Sequence, residues 1–130
     1  NTFGGNPVCM AAAQAVLDVM RDEDTMGNAK KVGKIFKDAV ALLMPSHPCI
    51  GDVRGAGLYI GCEIVKPGTK EPDQKAALDI LETLRDNHIL TSVCGRYGNI
   101  LKLRPPLVFS ESDVDWFMDG FTKTLETLKL

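Results

Sequence analysis

The sequence predicts an α+β fold, a small and mostly antiparallel sheet with helices packed on one face, preceded by a linking helix. Three observations predict it. Apolar residues keep helical spacing in four stretches, and four shorter stretches read as strands. The order is helix, helix, two strands, helix, two strands, helix, which suits a sheet with its helices gathered on one side. The 130 residues are 45% hydrophobic and 25% charged, ordinary values for one folded domain.

The chain opens on Asn1-Thr2-Phe3-Gly4-Gly5-Asn6-Pro7, read from local chemistry as a tight turn feeding a helix. Asn6 can cap that helix, and Pro7 suits its first position, where a missing N–H costs nothing. The first helix is expected from Pro7 to Arg21, with Val8, Ala12, Ala15, Val16 and Val19 on one stripe. A second helix is expected from Met26 to Met44, buried along Ala29, Val32, Phe36, Ala39, Val40 and Leu43 and stopped by Pro45. Ile50–Arg54 and Leu58–Val65 read as strands joined by the Gly55-Ala56-Gly57 turn, with Leu58, Ile60, Cys62 and Ile64 alternating onto one face. A third helix is expected from Pro72 to Asn87, then strands at Ile89–Val93 and Asn99–Arg104. Ser110 and Asp113 form a capping-box pattern at the start of a last helix, whose stripe is Val114, Phe117, Met118, Phe121, Leu125 and Leu128.

A net charge of −2 favours neither nucleic acid nor an anionic membrane. No apolar run reaches the roughly 20 residues that span a bilayer, and no signal peptide is visible. Cys9, Cys49 and Cys62 lie in apolar surroundings and are expected to be buried free thiols, which points to an intracellular, reducing compartment. Cys94 sits beside a turn as an accessible thiol. His47 and His88 stand at no zinc-ligand spacing from a cysteine, so no metal site is expected. Catalytic constellations are absent, and Asp52 and Glu63 are too weakly framed to be an acid–base pair.

The telling charges are Lys102 and Arg104. Strand alternation sets both on one face and Leu101 and Leu103 on the other, with the two cations roughly 7 Å apart. Cations held that close suit an anion between them, a carboxylate or phosphate, which Arg104 can grip bidentately. A solvated outer strand face accounts for the same spacing.

Three motifs, in this order, resemble class III pyridoxal-phosphate aminotransferases of fold type I. They are Asn1–Pro7 before an alanine-rich helix, Gly51-Asp52-Val53-Arg54-Gly55-Ala56-Gly57-Leu58 with Ile60-Gly61, and Leu101-Lys102-Leu103-Arg104-Pro105-Pro106-Leu107 with Ser110–Asp113. The resemblance covers essentially the whole chain. It implies the C-terminal part of such an enzyme, with residues 1–24 a phosphate-contact loop and linking helix from the large-domain side and residues 25–130 the small domain. It implies that Thr2 reaches across a homodimer interface to the phosphate of pyridoxal 5'-phosphate. Lys102 matches the position where many members carry an arginine for the substrate carboxylate, whereas Arg104 stands where they often have a small residue. The Lys-x-Arg-Pro-Pro pattern looks more like the branch of ethanolamine-phosphate and phosphohydroxylysine phospho-lyases, with the alanine–glyoxylate aminotransferase type next.

The resemblance also implies that the Schiff-base lysine and the large domain precede residue 1, so that the chain alone is inactive and supplies no catalytic residue. The implied activity is transfer of amino groups between an amino donor and a keto acid. The alternative within the family is elimination of phosphate from a phosphorylated amine. The small-molecule substrate is an amine or amino acid, and neither nucleic acid nor membrane is an expected partner. Cytoplasm and mitochondrion both stay open as compartments. A free-standing α/β binding or regulatory module is the rival from another class. It should bury the apolar stripe of the first helix, whereas an enzyme segment should leave that stripe open.

Overall fold

The computed structural model of the chain describes residue 2 and residues 4–130. Asn1 and Phe3, two members of the opening motif, lie outside the described residues. The elements are α1 (Pro7–Asp22), α2 (Thr25–Ala41), β1 (Ile50–Ala56), β2 (Tyr59–Ile64), α3 (Gln74–Asp86), β3 (Val93–Cys94), β4 (Ile100–Leu103) and α4 (Glu111–Leu128). The sheet has strand order β1-β2-β4-β3 and every pair is antiparallel. Ile60, Cys62, Ile64, Leu101 and Leu103 point into one core, where they meet Val32, Phe36 and Val40 of α2, Ile80 and Leu84 of α3, and Val114, Phe117, Phe121 and Leu125 of α4. Among the described residues no helix packs on the opposite face of the sheet, where Asp52, Arg54 and Tyr59 are exposed.

Helix ends follow side-chain caps. Asn6 accepts a hydrogen bond from the Cys9 N–H and Pro7 opens α1, as the sequence suggests. Asp24 caps α2 through the Gly27 N–H, one residue ahead of the expected start. Beyond Ala41 the chain tightens into three-residue turns, Leu43 N–H to Val40 O and Met44 N–H to Ala41 O, so α2 stops before Met44. Asp73 caps α3 while Pro72 is held in a bridge to Val65, which moves the start past Pro72. At α4 the capping box closes in both directions between Ser110 and Asp113. The Ser110 hydroxyl and N–H hold the Asp113 carboxyl below its ordinary value.

The expected strand at Ile89–Val93 shrinks to β3, Val93–Cys94. The cause lies upstream. His88 takes a left-handed backbone with φ of 64°, and the Ile89 N–H returns to the Leu84 carbonyl, a Schellman ending of α3. That turn throws Ile89 into the core and leaves Leu90 85% exposed, so the strand alternation begins only afterwards.

Helix α1 has no buried residue. Its stripe is open, with Val8 79%, Val16 59% and Val19 48% exposed. This overturns the expectation for Cys9, which is exposed because, among the described residues, no element covers its side of α1. Cys49 and Cys62 are buried, as expected, and Cys94 is half-buried. Burial pushes the Cys62 thiol up to about 12 and raises that of Cys49. The thiolate is the reactive form. Native-state alkylation near pH 8 should therefore modify Cys9 first and Cys94 more slowly, and should spare Cys49 and Cys62 until denaturant is added. Mass mapping checks this; labelling of Cys62 at the rate of Cys9 would contradict the packed core.

Candidate anion site on the open sheet face

Register builds this site. On β1, β2 and β4, Arg54 lies opposite Gly61 and Gly61 opposite Lys102. Directly paired residues share a face, so these three form one row across the open side of the sheet. Tyr59 lies two residues before Gly61 on that same face and is 58% exposed. Leu101 and Leu103 are buried, as the alternation requires, which leaves Lys102 half-buried at the surface and Arg104 exposed just beyond the strand end.

Lys102 and Arg104 line one cleft of about 430 Å³ at the end of the sheet, with Leu90, Pro105, Pro106 and Trp116 among its walls. Lys102 also borders a second hollow of about 330 Å³, shared with Arg54, Tyr59, Gly61 and Cys94. Among the described residues neither Lys102 nor Arg104 has an ion-pair partner. Arg54 has two, because its Nη1 donates to Glu63 Oε2 and to Asp52 Oδ2, each at 2.6 Å. Glu63 first and Asp52 second raise the guanidinium above its ordinary value and keep it charged. Asp52 and Glu63 thus anchor an arginine.

The sequence singles out Lys102 and Arg104 and misses Arg54, Gly61 and Tyr59. Gly61 breaks the alternation of β2 on its open face, and that gap is the one local signal that a hollow sits there. Thr2 lies in an exposed turn before α1 and lines neither hollow. Among the described residues no group of three His, Cys, Asp or Glu side chains could hold a metal ion, and no helix is long and apolar enough to cross a membrane.

The pattern of the family described as aminotransferase class III matches residues 1–125. The chain belongs to the class III aminotransferase family. Members of this family use pyridoxal 5'-phosphate. Among its relatives, the chain is 42% identical over 116 residues to ethanolamine-phosphate phospho-lyase homolog 1 of Caenorhabditis elegans, covering 88% of this chain and 25% of that protein. It is 39% identical over 127 residues to an alanine–glyoxylate aminotransferase 2-like protein of Drosophila melanogaster, covering 96% and 26%. The structure superposes on a phospholyase from Arthrobacter in complex with phosphoethanolamine with a TM-score of 0.94 at 35% identity, covering 98% of this chain and 30% of that one. The chain spans about a quarter of the length of the curated relatives it matches.

Proposed function

We propose that this class III chain is the C-terminal part of a pyridoxal-phosphate enzyme that transfers amino groups between an amino donor and a keto acid. In it, Lys102 and Arg104 hold the acidic group of the substrate. The observation that carries the reading is that pair: one cation on β4 and one just past its end, both outside the core, bordering the same cleft and unmatched by any described carboxylate. Left alone they repel each other, and an anion between them removes that cost. Their lysine–arginine composition also suits a phosphate, and one relative is named an ethanolamine-phosphate phospho-lyase homolog. Elimination of phosphate from a phosphorylated amine is therefore the second reading.

The open stripe of α1 supports the division into residues 1–24, from the large-domain side, and residues 25–130, the small domain. A free-standing module would bury that stripe. Thr2 suits the cofactor phosphate of a partner subunit in a homodimer. Thr2 is exposed, and among the described residues Gly5, at φ 81°, has nothing within 4 Å of where a side chain would start, which suits an anion at the turn. When bound, the cofactor supplies the electron sink for chemistry at the substrate carbon. This chain's residues bind and orient the substrate's charged end. The free thiols of Cys49 and Cys62 suit an intracellular enzyme.

The test is made on the full-length enzyme that contains this chain. Keto-acid formation from an amino donor, without phosphate release, supports amino transfer. Inorganic phosphate released together with ammonia from ethanolamine phosphate supports the second reading. In either assay K102A and R104A should each raise KM about 10–100-fold, the worth of one hydrogen bond to a charged group. Unchanged KM and kcat in both variants would remove the anion-site reading.

A further inference from the structure

The open sheet face holds a third cation that the proposed function does not use, and the inference drawn from it rests on that reading of Lys102 and Arg104. Arg54, Gly61 and Lys102 stand in one register row on adjacent strands. Strands lie about 4.8 Å apart, so the two cationic residues start about 10 Å from each other with a bare glycine between them. A side chain at Gly61 would begin 3.1 Å from Ile100 Cγ2 and otherwise rise into the hollow of about 330 Å³ that Arg54, Lys102 and Tyr59 border. The space exists because residue 61 is glycine.

The way Arg54 is held matters most. Both of its carboxylate partners bind one atom, Nη1. A guanidinium carries five N–H donors in a rigid plane. Asp52 and Glu63 occupy the two on Nη1. The donors on Nη2 and Nε have no partner among the described residues. The carboxylates thus fix the plane of the guanidinium and leave its other edge free, and that edge is the bidentate fork that grips oxyanions.

We propose that Arg54 is a ligand-binding residue, and that Arg54 and Lys102 together form a phosphate subsite over Gly61, with Asp52 and Glu63 as the residues that position Arg54. The group it takes is the phosphate of a phosphorylated amine. A flat carboxylate has two oxygens, and the Arg54 fork uses both. A phosphate monoester has three, so it can fill the fork and still turn an oxygen toward Lys102 across the glycine.

The experiment titrates the full-length enzyme that contains this chain with inorganic phosphate, and separately with acetate, following the arginine Nε–H signals by NMR. Phosphate should shift the Arg54 Nε–H signal. R54K keeps the charge but loses the fork, and should weaken phosphate binding about tenfold or more and acetate binding as well, whereas K102A should weaken phosphate binding and change acetate binding little. G61V fills the hollow and should weaken phosphate binding at least as much. The backbone amide spectrum shows whether each variant keeps the fold. An Arg54 signal indifferent to phosphate overturns the proposal. So does unchanged phosphate affinity in R54K or in folded G61V. If K102A and R104A lose binding while R54K keeps it, Arg54 is no ligand and the proposed role of the pair stands. If R54K loses binding while K102A and R104A keep it, Arg54 binds the anion without Lys102, and both the two-residue subsite and the reading of the pair fail.

Discussion

Replacing Phe36 by Ala should cost about 3–5 kcal/mol, the usual range for deleting a buried phenyl ring. Phe36 is 1% exposed and sits where α2 meets α4. Its ring meets Phe117 nearly edge-on at 4.8 Å between centroids and Phe109 at 5.7 Å. Phe117 in turn stacks toward Phe121 at 5.5 Å. Removing one ring therefore opens a cavity against two others, and aromatic pairs add about 0.5–1.5 kcal/mol beyond the area they bury. Domains of this kind are stable by only about 5–15 kcal/mol, so F36A should spend much of the margin. Urea unfolding checks it, read as a lowered midpoint at constant slope. A loss under about 1 kcal/mol would mean that the neighbouring rings close the gap.

The same substitution reaches the anion site. Phe109 ends the segment that follows Arg104, and Asn28 of α2 ties that segment down by donating to the carbonyls of Leu107 and Phe109 at 2.8 and 3.0 Å. Phe36 lies beneath this tether and also borders the cleft with Arg104. Loosening it frees the strand end that sets the direction of Arg104, so F36A should weaken anion binding at concentrations of denaturant well below unfolding.

Periodicity made much of the fold legible. The stripe of α4 is read correctly because Val114, Phe117, Phe121 and Leu125 all face the core and the Ser110–Asp113 box marks the start. The alternation of β2 and β4 is read correctly for the same reason, and with it the outward direction of Lys102. Two features of the fold escaped, and one member of the candidate site. His88 ends α3 in a left-handed turn that usually goes to glycine, so no residue type announced the Schellman motif that shortens β3. Cys9 looked buried because its neighbours are apolar, yet an apolar stripe says only that something should cover it. Arg54 was invisible as a member of the site for a deeper reason. It is 48 residues from Lys102, and only the register of two strand pairs brings them into one row. Local sequence carries alternation but not register.

Gly33→Ala should destabilise the chain by about 1–3 kcal/mol, the ordinary cost of forcing atoms into packed space, although alanine is the better helix former by about 1 kcal/mol. Gly33 is buried in α2, and a side chain there would begin 2.2 Å from the carbonyl carbon and oxygen of Gly57. The obstacle is backbone, so no rotamer change relieves it. Gly57 itself holds φ at 52° in the turn between β1 and β2, a conformation other residues resist. Helix and hairpin can therefore separate only by moving whole. The hairpin carries Arg54 on one strand and Gly61 on the other, while Lys102 stays behind on β4. G33A should lower phosphate affinity although residue 33 touches no ligand, whereas K30A, on the exposed side of the same helix, should change neither stability nor affinity. Parallel urea unfolding and phosphate titration of the two variants check this. If G33A matched the unsubstituted chain in both, the close approach of α2 to the hairpin would not be what holds the Arg54 row in place.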